Sequence, residues 1–126
     1  GVNLSGLDLS YLNLSHADLC YTNLEGANLS HTMLCDAALF GANLVGATMI
    51  KANLGNTDLI GADLTGADMS HASLSKVSLC GAVLLGTNMD GVRYDDAMFD
   101  GASVNGTTIW PDGFDMSEHN LYIVPD

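Results

Sequence analysis

The sequence is poor in positive charge. Three Lys and Arg residues stand against fifteen Asp and Glu among 126, a formal net charge of −12. Binding nucleic acid through its phosphates needs a basic face, which three basic side chains do not build, so direct nucleic-acid binding is not expected. Charge of either sign is scarce, at 14% of residues against the ~25% of ordinary domains. A disordered acidic tail is nevertheless excluded, because 48% of the residues are hydrophobic. Long apolar runs are missing as well. No stretch reaches the ~18 residues of a membrane-spanning helix, and no basic, apolar secretory leader opens the sequence. The expectation is one soluble domain in the cytoplasm with no membrane contact. Cysteine is limited to Cys20, Cys35 and Cys80. An odd, low count without a C-x-x-C pair argues against a disulfide framework and a zinc or redox motif. The three read as small, partly buried residues or free thiols.

What is present is a repeat. Every fifth residue from Leu4 to Ile109 is apolar, 22 positions without a gap: fifteen Leu, then Met49, Met69 and Met89 among them, and finally Tyr94, Phe99, Val104 and Ile109. Two residues before each stands a small or β-branched residue, such as Ala42, Ala47, Thr57, Ala62 or Ala67; Leu7 and Leu12 are larger exceptions. Between the two is usually Asn or Asp, as at Asn3, Asp8, Asn13, Asp18, Asn23 and Asn28. A period of five fits neither a helix nor a long strand. It fits three extended residues, which put the small residue and the Leu on one side, followed by a two-residue corner.

The corner residues give the size of a coil. Gly occupies positions 6, 26, 46, 66, 86 and 106, and also 1, 41, 61, 81 and 101, with Tyr21 interrupting the second series. The other two corner columns are Tyr11, His31, Lys51, His71, Gly91, Pro111 and His16, Asp36, Asn56, Lys76, Asp96. The super-period is therefore twenty residues, four units per turn. Glycine at two corners implies positive φ there, and its rarity at the other two implies a different turn. The reading is a solenoid of square cross-section, about five and a half coils stacked at ~4.8 Å into a rod roughly 25 Å tall. Each coil packs its Leu and Ala on the coils above and below.

Units such as Ala42-Asn43-Leu44, Ala52-Asn53-Leu54, Ala62-Asp63-Leu64 and Ala67-Asp68-Met69 resemble those of the pentapeptide-repeat proteins over residues 2–110. The resemblance implies an all-β fold, a right-handed quadrilateral parallel β-helix. It implies no single function. Members of that family include bacterial inhibitors or protectors of DNA gyrase that look like duplex DNA, many cyanobacterial proteins, and modules attached to other domains. The repeat has no catalytic residues to carry over.

The register runs out at Trp110-Pro111-Asp112-Gly113-Phe114, where Pro-Asp-Gly signals a turn. That string is similar to a terminal segment of cyanobacterial members. A solenoid must cover its last coil, and Trp110 and Phe114 suit that task. The expected division is a repeat domain, 1–110, and a cap and tail, 111–126, folded back through Leu121, Tyr122, Ile123 and Val124. At the start Val2 is already in register and Gly1 is not Met, as in a processed chain or one cut from something longer. The uncapped first coil is a candidate surface for homo-association.

Two surfaces are candidates for contact. Asp90, Asp95, Asp96 and Asp100 form an acidic belt suited to a basic partner; for the outward Asn and Asp column as a whole, the plainer role is hydrogen bonding to backbone or water near the turns. Phe40, Val45, Ile50, Ile60 and Leu85 form an apolar ladder that either packs coil on coil or meets a partner. His31 and His71 lie ~10 Å apart on the strand spacing and do not share a metal, while His16 stacks near Asp36. No nucleophile elbow or phosphate loop appears. The sequence thus points to a non-enzymatic scaffold or protein-interaction module that needs no cofactor and whose protein partner is unidentified. The other readings are a DNA-mimicking topoisomerase regulator and the repeat part of a larger protein, for example a BTB-linked one.

Overall fold

The computed structural model describes residues 1–126. Its backbone is one continuous ladder. The central residue of each five-residue unit makes a parallel bridge to the residue twenty positions on, from Asn3 with Asn23 through Val83 with Ser103. Only two segments are long enough to be strands: β1, Ser103–Val104, and β2, Tyr122–Ile123, which pair in parallel. The chain is thus a parallel β-helix with short bridged sides. No helix is long and apolar enough to cross a membrane.

One unit shows why the sequence adopts this form. In Ala42–Gly46 the Asn43 N–H donates to Thr22 O one coil below, at 3.0 Å. The N–H groups of Leu44 and Gly46 donate to Asp63 O and Thr65 O one coil above, at 2.8 and 2.9 Å. The next unit's Ala47 N–H closes a β-turn on Leu44 O at 3.0 Å. That leaves Val45 N–H, which donates to the Asn43 side-chain oxygen at 3.0 Å. The Asn or Asp column therefore has a local structural role: its oxygen takes the donor that the ladder leaves over. Asn3, Asp8, Asp58, Asp63, Asp68 and Asn88 repeat the contact with the N–H two residues on.

All four corners use one kind of turn, which corrects the expectation of two kinds. His31, Lys51, Asn56 and Lys76 have φ of 57–58°, much like Gly46 at 65°. Positive φ at the third turn position alone is the type II pattern. Glycine adopts it freely, but His, Asn and Asp also enter this region more readily than most residues, and six of the ten non-glycine residues with positive φ are of those types. Glycine is needed where a neighbour leaves no room. A Cβ on Gly41 would stand 2.7 Å from the Tyr21 ring, and one on Gly91 would run into the His71 ring.

Inside, the Leu or Met column and the Ala column are buried along the middle of the rod, from Leu24 to Met89. Thr replaces Ala in this inner column where its hydroxyl reaches a carbonyl one coil down: Thr57 Oγ1 donates to Leu34 O, and Thr87 Oγ1 to Leu64 O, each at 2.7 Å. Thr57→Val should cost only about 0.5–1.5 kcal/mol in a denaturant titration, since Leu34 O keeps the Ala37 N–H at 3.1 Å.

The register slips once, near the C-terminal end. Asn88 bridges Ile109, an offset of 21. Thr108, not Ile109, turns inward, and Ile109 is 50% exposed. The inward apolar series therefore ends at Val104, and Gly106 leaves the positive-φ column. Beyond it, Pro111–Phe114 form another turn, with Gly113 at φ 80° and Phe114 N–H donating to Pro111 O at 3.2 Å. The chain then returns as β2 along β1.

Candidate interaction surfaces

The twenty-residue coil decides which side chains share a side of the rod. Asp90, Asp95 and Asp100 follow the inward residues Met89, Tyr94 and Phe99, so they leave from three successive sides, and Asp96 occupies a corner at φ 58°. All four are exposed. They ring the rod and do not converge. Nor does any group of three or more His, Cys, Asp or Glu side chains gather as metal ligands do.

Phe40 is 38% exposed, and Tyr21 meets it edge-on at 5.5 Å between ring centroids. Val45, Ile50, Ile60 and Leu85 are half-buried. Cys20, Phe40, Ile60 and Cys80 form one column, and that column ends at Asp100. In this column Phe40 and Ile60 of the apolar ladder lead up to Asp100 of the acidic belt, while Val45, Leu85 and Ile50 stand on the next sides. All three cysteines are free. Burial, and then the hydrogen bond to Asp18, push the Cys20 thiol up, which keeps it protonated and unreactive at neutral pH.

Trp110 and Phe114 are half-buried and stack at 4.1 Å and 8°. Phe114 stacks in turn on His119 at 4.6 Å and 8°. The buried Phe99 meets all three rings edge-on at 5.3–5.8 Å. His119 is the member that pattern reading missed. Only the 3-10 turn Met116–Glu118, started by the Asp115 side chain accepting from Ser117 N–H, brings it back to Phe114. At the other end Val2, Leu7 and Leu12 are 64%, 46% and 45% exposed. The two large exceptions in the small-residue column therefore sit in the first coil, against which only the second coil packs.

Three exposed carboxylates have lowered pKa values. Asp8 and Asp115 accept from the hydroxyl and then the backbone N–H of Ser10 and Ser117, and Asp18 accepts from the backbone N–H and then the thiol of Cys20. A depressed folded-state pKa adds stability above the ordinary carboxylate range, lost as pH falls through the lowered value. The triple variant Asp8→Asn/Asp18→Asn/Asp115→Asn should therefore show a flatter fall in melting temperature below about pH 4, while keeping the amide oxygen as acceptor.

Comparisons with known proteins agree with this geometry. The family model for pentapeptide repeats matches residues 1–34 and 37–75 in eight copies. A pentapeptide repeat protein from the Arabidopsis thaliana thylakoid lumen is 36% identical; the alignment covers 80% of this chain and 63% of that one, with a TM-score of 0.51. The chain thus spans under two thirds of that relative. A second, Rfr23 from the cyanobacterium Cyanothece 51142, is 28% identical over 86% of this chain and 88% of its own, with a TM-score of 0.54. No curated protein matches significantly. The fold is a right-handed β-helix, the hand that parallel crossover connections favour.

Proposed function

Because the chain belongs to the pentapeptide repeat family, whose members are generally structural or interaction modules, we propose that it is a non-enzymatic scaffold that binds another protein. The rod is residues 1–110, built as about five and a half quadrilateral coils of four pentapeptides. Residues 111–126 are its cap and tail, with Trp110 and Phe114 across the end. The twenty-residue bridge offset supports the coil reading, and the ring stack on Phe99 supports the cap.

The contact is the acidic belt of Asp90, Asp95, Asp96 and Asp100, with the apolar ladder of Phe40, Val45, Ile50, Ile60 and Leu85 beside it. One observation carries this reading. These four exposed carboxylates have no base within ion-pair distance; the single such pair in the rod is His16 with Asp36, at 3.9 Å. Unneutralised charge of one sign steers a basic surface onto the rod. Changing the four aspartates to Asn should leave the melting temperature within a few degrees and abolish salt-sensitive partner capture. Capture that survives in full contradicts the belt as the contact, and loss on Phe40→Asp/Ile60→Asp alone moves the contact to the ladder.

Duplex mimicry is favoured by one observation only, the run of acids along the flanks. Against it, the three bases Lys51, Lys76 and Arg93 fall on one side of the coil and its two corners, so the rod is not anionic all round as DNA is. A gyrase supercoiling assay should therefore show neither inhibition nor protection from a gyrase-directed drug. Either effect would replace the scaffold reading.

A further inference from the structure

The few positive charges are not scattered. Lys51, Lys76 and Arg93 are all the basic residues the chain has. On a twenty-residue coil they fall on one side of the rod and its two corners. Lys51 (φ 58°) and Lys76 (φ 58°) stand at the corners, and Arg93, exposed, at the centre of the side between them. His31 and His71 share the corner column of Lys51, and His16 shares that of Lys76. The same side and corners hold three acids: Asp36, Asp95 and Asp96. The remaining surface, three sides and the C-terminal segment, therefore holds the other twelve of fifteen acids and no Lys or Arg. The −12 net charge conceals a rod with one mixed, base-bearing side and acidic flanks.

This separation does no work inside the fold, since none of the three bases makes an ion pair within its own chain. It does supply complementary surfaces on a single molecule. We propose that the side bearing Lys51, Lys76 and Arg93 docks on an acidic flank of a second copy, so that rods associate side by side. The inference rests on Lys51, Lys76 and Arg93, not on the carboxylates of the partner-binding belt, although Asp95 and Asp96 stand on the same side. Such a contact joins two different surfaces, so it leaves a free side at each end and adds further copies unless the rotation between them closes a ring. It is built from exposed pairs, so it is weak and salt-sensitive. Lowering the pH toward the isoelectric point near 4.1 strengthens it, because the overall negative charge that keeps copies apart diminishes. Around the histidines of this side stand Asp36 for His16, at 3.9 Å, Tyr11, stacked at 4.7 Å, for His31, and in the corner column Lys51, between His31 and His71. Asp90 lies beside His71 one coil on, its carbonyl accepting the His71 backbone N–H at 2.8 Å.

Sedimentation velocity over a range of protein concentrations tests this. Near pH 6 in low salt the wild type should show concentration-dependent association that disappears in about 0.5 M salt. Two variants with the same net charge separate a docking side from a general loss of repulsion. Lys51→Gln/Lys76→Gln should weaken association about tenfold. Asn28→Asp/Asn88→Asp adds the same negative charge to an acidic flank, keeps the side-chain oxygen as acceptor for the N–H groups of Ser30 and Asp90, and should associate at least as well as wild type. A wild type that stays monomeric near pH 6 in low salt overturns the proposal. So does equal weakening of both variants, or full association of the Gln variant.

Discussion

Replacing Phe99 with alanine is expected to lower the unfolding free energy by about 3–5 kcal/mol, the range for removing a buried aromatic ring. Phe99 is the largest fully buried side chain of the rod, at 1% exposure. It is also the ring on which the C-terminal end is assembled, edge-on to Trp110, Phe114 and His119, with Tyr94 at 6.5 Å. Its loss should therefore show in two ways. The global transition should move down in a denaturant titration. Amides whose bonds join the returning segment to the last coil, Tyr122 to Ala102 and Val124 to Val104, should lose hydrogen-exchange protection ahead of the rest. Phe99→Leu, which keeps much of the volume, should recover most of the stability.

The second large effect belongs to the middle of the rod. Leu54 is fully buried, and its alanine variant should cost about 2–5 kcal/mol, the transfer term plus the cavity left behind. Its setting differs from that of Phe99. The loss falls on the contacts with the coils above and below, and in a solenoid these nearest-neighbour contacts hold the array together. Leu54→Ala should broaden the denaturant transition by letting the two halves unfold less cooperatively, whereas Phe99→Ala should fray one end. Ala62→Phe should also destabilise, by overpacking a position with no spare volume. Tolerance of that substitution would mean that the inner Ala column is not close-packed.

Periodicity made most of the fold legible. Five-residue spacing gave the inward Leu and Ala columns, and the glycine columns gave a coil of twenty, the offset of the observed bridges. Two features did not follow from pattern. The corner residues His31, Lys51, Asn56 and Lys76 share the turn of their glycine neighbours, because the turn is set by the ladder on either side and non-glycine residues bear a modest cost to enter it. Ile109 looks inward in the series, yet the extra residue after Val104 turns it out and Thr108 in. There Thr108 Oγ1 donates to Leu84 O at 2.7 Å, as Thr57 and Thr87 do lower in the rod. A count of five cannot see a one-residue slip when the next residue can also fill the inner slot. His119 was hidden for a related reason: only a turn in the tail returns it to the ring stack.

The surfaces were legible to the extent that they depend on the coil. Modulo twenty, the sequence itself aligns Lys51 with His31 and His71, and Lys76 with His16. It also shows the Cys20, Phe40, Ile60, Cys80 column ending in Asp100. The hydrogen bonding of the Asn and Asp column near the turns was expected as well; which donor each oxygen takes, the N–H two residues on that the ladder leaves over, became visible only in the structure.

All of these arguments rest on the twenty-residue coil, and cysteine pairs test it most directly. In a background with Cys20, Cys35 and Cys80 changed to Ser, the pair Asp58→Cys/Ser78→Cys places two thiols on bridged neighbours, at a strand separation of about 4.8 Å that a disulfide can span. Asp58→Cys/Ser73→Cys places them at an offset of fifteen, on different sides of the rod. Mild oxidation followed by mass spectrometry should find the 58–78 disulfide within one chain and no 58–73 disulfide. Equal formation of both, or the 58–73 bond alone, would contradict the coil and with it the arrangement of charge proposed here.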